Sequence, residues 1–215
     1  MDFATASTLP IALATMHNAI VTIGNFSKGQ TILIQGASSG VGLMGLQIAK
    51  HLGAKQVIGT STKPEKFDKL KSIGADLVVN SKDKDWVDHV LQATNNEGVD
   101  LIIDQLSGYT INENMRASKV KGTIVNVGRL AGGNTEFNCD LHALRRINYR
   151  GVTFRTRSIN EIREVYSKMW SDLGDLVVKG KLSLPIEKIF EFDDVSDALS
   201  LIHISEPTRQ HCISY

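Results

Sequence analysis

Residues 31–42 read TILIQGASSGVG, and this stretch constrains the chain more than any other. An apolar run with β-branched residues ends in small residues and glycines, and residues 43–52 continue as a helix. A strand, a glycine turn and a helix in that order set backbone N–H groups at a helix start, where a pyrophosphate can sit. A glycine turn alone is a weak signal, so its setting must decide.

That setting alternates strand and helix. Apolar spacing predicts a helix over residues 9–23, with Ser7 or Thr8 as its cap, then the strand at 31–35 and a helix over 41–52 stopped by Gly53. Strands are expected at 56–60, 77–80, 99–104, 123–127 and 151–156, and helices at 63–75, 86–93, 109–119, 141–148 and 161–179. Short apolar strands separated by helices of this length imply a parallel sheet covered on both faces. The fold class is α/β: a Rossmann-type doubly wound parallel sheet in three α/β/α layers, its glycine turn at the switch point.

Bulk properties exclude several classes. The 24 basic against 23 acidic side chains of the 215 residues leave no electrostatic footprint for nucleic acid. No apolar run reaches the ~20 residues of a membrane span. The N-terminal stretch lacks the basic start of a signal peptide and is interrupted by His17 and Asn18. Cys139 and Cys212 show neither metal-ligand spacing nor a disulfide framework. A cytoplasmic protein with no bound metal is expected.

Two dehydrogenase families carry such a turn. Gly36-Ala37-Ser38-Ser39-Gly40-Val41-Gly42 resembles the GxxxGxG turn of short-chain dehydrogenases, which need a Tyr-x-x-x-Lys pair for proton transfer. Here Tyr109, Tyr149 and Tyr166 are followed at that spacing by Glu113, Thr153 and Trp170, so that resemblance fails. The second fits from about residue 4 to 202 through pieces in fixed order. These are Thr15-Met16-His17-Asn18-Ala19, the glycine turn, Gly74-Ala75-Asp76, Gly98-Val99-Asp100 with Asp104, Asn126-Val127-Gly128-Arg129, GVTFRTRS from Gly151, and DDVSDALSL from Asp193. On them the chain resembles the nucleotide-binding half of the medium-chain dehydrogenase/reductases, in the zinc-independent quinone oxidoreductase branch. In the zinc-dependent branch a ligand cysteine stands four residues before the position of Thr15; here it is Ile11, which cannot ligate a metal.

The resemblance and the residues together give a candidate site. Ser38, Ser39, Gly40, Val41 and Gly42 would cradle the pyrophosphate at the helix start. About 20 residues on, where an acidic residue would hold a ribose 2′-hydroxyl, stands Ser61, with Lys63 beside it. Hydroxyls and an ammonium suit a 2′-phosphate, so NADP(H) is the expected cofactor; the alternative is a solvated lysine ahead of Pro64. Ser81 stands where the family often has a tyrosine near the adenine ribose. The resemblance puts Val127, Gly128, Arg129 and Leu130 against the nicotinamide half, and Thr15 near the carboxamide. No catalytic side chain can be named, and for Asp104 a structural role is preferred. His17 reads as packing, Trp86 and Trp170 as packing anchors, and the arginines from 145 to 157 as a solvated face.

The resemblance implies hydride transfer to a quinone or an α,β-unsaturated carbonyl (enone). Enoyl-reductase modules of polyketide and fatty-acid synthases share the pattern, and a non-catalytic NADPH-binding protein is a further alternative. Such enzymes carry an N-terminal, GroES-like catalytic domain of about 120 residues, which this sequence lacks, so inactivity alone is expected. Homodimers through the edge strand from Gly151 to Thr156 are expected from the same family. Residues 203–215 are polar, hold Pro207 and show no strand pattern, so a non-native or divergent tail is expected there.

Overall fold

A computed structural model describes the backbone of residues 1–205 and the side chains of residues 1–201. Two short helices, α1 (Phe3–Ser7) and α2 (Pro10–His17), lead into it. Then follow β1 (Thr31–Ile34), α3 (Gly40–His51), β2 (Gln56–Thr60), α4 (Phe67–Ile73), β3 (Leu77–Val79), α5 (Trp86–Ala93) and β4 (Val99–Asp104). The chain continues through α6 (Ile111–Ala117), β5 (Ser118–Asn126), α7 (Cys139–Arg145), β6 (Asn148–Gly151), α8 (Ile159–Val178) and α9 (Val195–Ser205).

All six strands form one parallel sheet in the order β3-β2-β1-β4-β5-β6. The order reverses at β1, so β1 and β4 lie side by side at the switch point, where a doubly wound sheet opens a crevice. The TILI run of β1 is buried throughout because both of its faces are covered. Ile32 and Ile34 join one core with Leu13, Met16, Leu46 and Leu173, while Leu33 joins the other with Ile58, Ile102, Trp86 and Met115. The expected three-layer Rossmann architecture is the one observed.

Several boundaries differ for local reasons. The helix expected over 9–23 is α2 followed by one π-helical segment, Asn18–Ile23. Leu9, not Ser7 or Thr8, stands at the N-cap of α2, without a side-chain cap bond, and the Ser7 and Thr8 hydroxyls are turned back onto the Ala4 and Thr5 carbonyls (2.8 Å each). Strand β5 begins five residues earlier than expected, with Lys121 at φ 68° and a register shift between Val99 and Leu101. The α7 helix starts at Cys139, capped by Asn138, and stops where Arg146 turns left-handed at φ 53°.

The edge strand expected over 151–156 is displaced: β6 is Asn148–Gly151. Beyond Val152 the chain curls into a local turn, in which the Thr153 oxygens accept from Arg155 N–H and Arg157 Nε. Trp86 is a buried anchor, whereas Trp170 is 55% exposed, its ring lying beside Gly174 on the same helix. Of the expected tail, residues 203–205 belong to α9, and the remainder, Cys212 included, lies outside the described residues. No helix among the described residues is long and apolar enough to cross a membrane.

Candidate functional site

The chain leaves β1 through Gln35 and turns at Gly36, whose φ of 68° suits a residue without Cβ. Ser39 then caps α3: its Oγ accepts the Gly42 N–H at 3.1 Å. That leaves the N–H groups of Gly40 and Val41 in the first turn with no intrahelical acceptor. At Gly42 a Cβ would lie 2.6 Å from the Gly36 carbonyl oxygen, so glycine lets α3 press against the turn. At Gly40 a Cβ would meet nothing within 4 Å. The open space in front of the α3 N-terminus thus coincides with unpaired donors and the positive end of the helix dipole.

The neighbouring strand ends add hydroxyls. Ser61, directly after β2, is buried, and its Oγ lies 3.4 Å from Ser38 Oγ and accepts the Lys63 N–H at 3.2 Å. The Lys63 side chain is exposed. Ser81, two residues past β3, is buried with an Oγ that has no partner. An orphan hydroxyl at the same sheet end is a donor in want of an acceptor. Ser38, Ser39, Ser61 and the glycine turn are therefore brought together, with Ser81 on the adjacent strand end.

On the other side of the switch point, residues 127–131 fold back over the end of β4. Val127 and Gly128 N–H donate to the Asp104 carbonyl (2.8 and 3.2 Å), and Leu130 N–H to that of Gln105 (3.2 Å). Arg129 and Leu130 are exposed at the rim. Thr15 lies on α2, half-buried, and no hydrogen bond joins it to this cluster. The site is an open shelf, not a cavity. A concave pocket of about 210 Å³, lined by Asp100, Lys119, Lys121 and Arg150 among others, lies at the opposite end of the sheet.

Sequence reasoning missed the polar network beneath the shelf. Gln35 accepts from Thr60 Oγ1 (2.7 Å) and donates to Asn114 Oδ1 (2.6 Å), and Thr60 Oγ1 accepts the Gly36 N–H (3.0 Å). Gln105 Nε2 donates to the Gln35 carbonyl (3.0 Å) while its Oε1 lies 3.0 Å from Ser39 Oγ. Gln35, Thr60 and Asn114 are fully buried. The signal that could have found them was the glutamine ending an all-apolar strand, which needs a partner once buried.

The His17 ring is fully buried and its Nε2 lies 2.7 Å from Asp172 Oδ2 on α8. Burial pulls its pKa below the ordinary value, outweighing the opposing Asp172 carboxylate, which is partly exposed. Among the described residues no three His, Cys, Asp or Glu side chains gather where they could hold a metal ion.

Residues 40–171 match the family described as zinc-binding dehydrogenase. The chain belongs to that family. It is a nucleotide-binding domain of the medium-chain dehydrogenase/reductase superfamily. Among curated relatives, the hybrid PKS-NRPS synthetase pyvA of Aspergillus violaceofuscus is 33% identical over 189 residues, 86% of this chain but 5% of that synthetase. The highly reducing polyketide synthase pkhB of Emericella nidulans is 32% identical over 157 residues, 72% of this chain and 6% of that synthase.

A crystal structure of a putative alcohol dehydrogenase from Sinorhizobium meliloti superposes with a TM-score of 0.80 at 30% identity, covering 95% of this chain and 56% of that one. The domain thus spans under a tenth of the first curated relatives and somewhat over half of that solved dehydrogenase.

Proposed function

We propose that this shelf binds NADP(H) and that the domain is the cofactor lobe of a zinc-independent reductase acting on an α,β-unsaturated carbonyl or a quinone. The observation that carries the cofactor reading is the end of β2. Ser61 stands where an NAD-binding domain would place a carboxylate, its Oγ set between Ser38 Oγ and the Lys63 backbone, and the exposed Lys63 follows two residues on. A 2′-phosphate finds hydroxyls and a cation there, and no carboxylate at that position to repel it.

In this reading the N–H groups of Gly40 and Val41 take the pyrophosphate, Ser61 and Lys63 the 2′-phosphate, and Ser81 the adenosine end. Val127, Gly128, Arg129 and Leu130 form the wall for the nicotinamide, with Thr15 near its carboxamide. When bound, the reduced cofactor supplies the hydride; the chain's part is to hold and orient it. Ile11, in place of a ligand cysteine, supports zinc independence. Relatives named as highly reducing polyketide synthases favour the enone over the quinone and support an enoyl-reductase role.

Titration of the chain with NADPH and with NADH tests the cofactor. NADPH is expected to bind more tightly, and Lys63→Glu to weaken NADPH by about tenfold or more while leaving NADH nearly unchanged. Unchanged NADPH affinity in that variant removes the 2′-phosphate assignment. Oxidation of bound NADPH by enones or quinones would show that the lobe itself catalyses; binding without oxidation is the result expected of the cofactor lobe alone and of a non-catalytic NADPH-binding protein alike.

A further inference from the structure

Asp104, the last residue of β4, is fully buried, and its Oδ1 accepts the N–H groups of both Leu106 and Ser107 at 2.9 Å. Its Oδ2 is buried with no partner. Ser107, held this way, sits at φ 55° and ψ −145°, a backbone region that strains a residue with a side chain. Four further bonds hold it there, one of them from the Thr110 N–H to the Ser107 carbonyl (3.1 Å). Its Oγ donates to the Gly128 carbonyl (2.9 Å) and accepts from Asn126 Nδ2, and its carbonyl accepts from Thr110 Oγ1 (2.9 Å).

Residues 127–131 have no strand or helix of their own and are moulded on this turn. Besides the Val127, Gly128 and Leu130 bonds, Ala131 N–H donates to the Leu106 carbonyl at 2.8 Å. Gly128 fits so closely that a Cβ would stand 2.5 Å from the Gln105 carbonyl oxygen. A strained residue that persists under so many restraints marks a place where position matters.

We infer that Asp104, acting through Ser107, is a positioning residue that fixes the 127–131 segment as a preformed wall for the nicotinamide half of the cofactor. This rests on the NADP(H) reading above. The titratable and charged groups facing the cluster are the Tyr149 phenol on β6 and Arg129 at the rim. Burial holds the Asp104 carboxyl above the usual range, against the pull of its two N–H donors and of the Asn114 side chain. Its work is done by one acceptor oxygen, which an asparagine also offers.

The test uses the whole chain, two ligands and hydrogen–deuterium exchange. NADPH carries both halves of the cofactor; adenosine 2′,5′-bisphosphate carries only the adenosine end. Asp104→Ala is expected to weaken NADPH about tenfold, leave the bisphosphate unchanged, and speed exchange in 127–131 but not in 36–42. Asp104→Asn is expected to restore both the NADPH affinity and the slow exchange of 127–131. Ser107→Ala, milder and in the same direction, serves if Asp104→Ala does not fold.

Equal losses for both ligands, or exchange in 127–131 that is unmoved, overturns the inference. If the wild-type chain binds neither ligand, the dinucleotide reading falls and takes the nicotinamide wall with it. Exchange in 127–131 still decides whether Asp104 orders the segment.

Discussion

Gly40 and Gly42 stand two residues apart at the start of α3 and answer different needs. Replacing Gly42 with alanine forces a Cβ to within 2.6–2.8 Å of the Gly36 and Ala37 backbone, so the turn must shift. Overpacking of that kind costs about 1–3 kcal/mol, and thermal unfolding should show it as a lowered Tm. Gly40→Ala meets only open space and exchanges a flexible residue for a helix former, so the fold should keep or gain up to ~1 kcal/mol. NADPH affinity should nevertheless fall, because the new methyl would stand where the pyrophosphate is proposed to approach. A Gly40→Ala domain that binds as well as wild type places the pyrophosphate elsewhere. These glycines were legible because each answers a local backbone requirement within a short motif. Gln35, Gln105 and Asn114 were not, because their partners come from segments that only the folded sheet brings together.

Between α2 and α8 the contact that matters for pH is His17 with Asp172. The folded protein keeps His17 neutral below the pH at which a free histidine charges, since burial lowers its pKa from 6.5. The unfolded chain therefore takes the proton first. Its contribution to stability is complete above about pH 6.5 and shrinks as the pH falls from there towards the lowered value. The urea midpoint of the wild-type chain should drop between pH 7.5 and 5 by more than that of His17→Leu; parallel drops would show that another group titrates. Sequence periodicity placed α2 correctly but ran it on as one helix to residue 23. At both ends of the π-helical segment an arginine arrives from beyond β5, Arg157 reaching Asn18 Oδ1 (3.5 Å) and Arg150 the Ile23 carbonyl (3.1 Å). Such contacts come from the far end of the chain, and no window around residue 18 contains them.

At the scale of the molecule the sheet ends on β6, whose outer edge has no partner strand among the described residues. An open edge is a template for another strand, and a second copy of the same chain is the partner proposed for it. The Val152 N–H is bonded inward to the Asn126 carbonyl (2.9 Å), so by strand alternation the Tyr149 and Gly151 N–H groups point away from β5. The Arg150 guanidinium is turned back onto the Ile23 carbonyl, which reduces the charge set against a two-fold copy. Pairing is therefore expected across the four residues of β6, not across the longer strand that the sequence suggested. Gly151→Pro tests this with little damage: a Cβ there meets nothing within 4 Å, and an edge strand tolerates a missing outward donor. Sedimentation should find wild-type dimers and Gly151→Pro monomers with the same unfolding midpoint at low concentration. A wild-type chain that sediments only as a monomer, or a proline variant that still dimerises, shows that β6 is not where two copies meet.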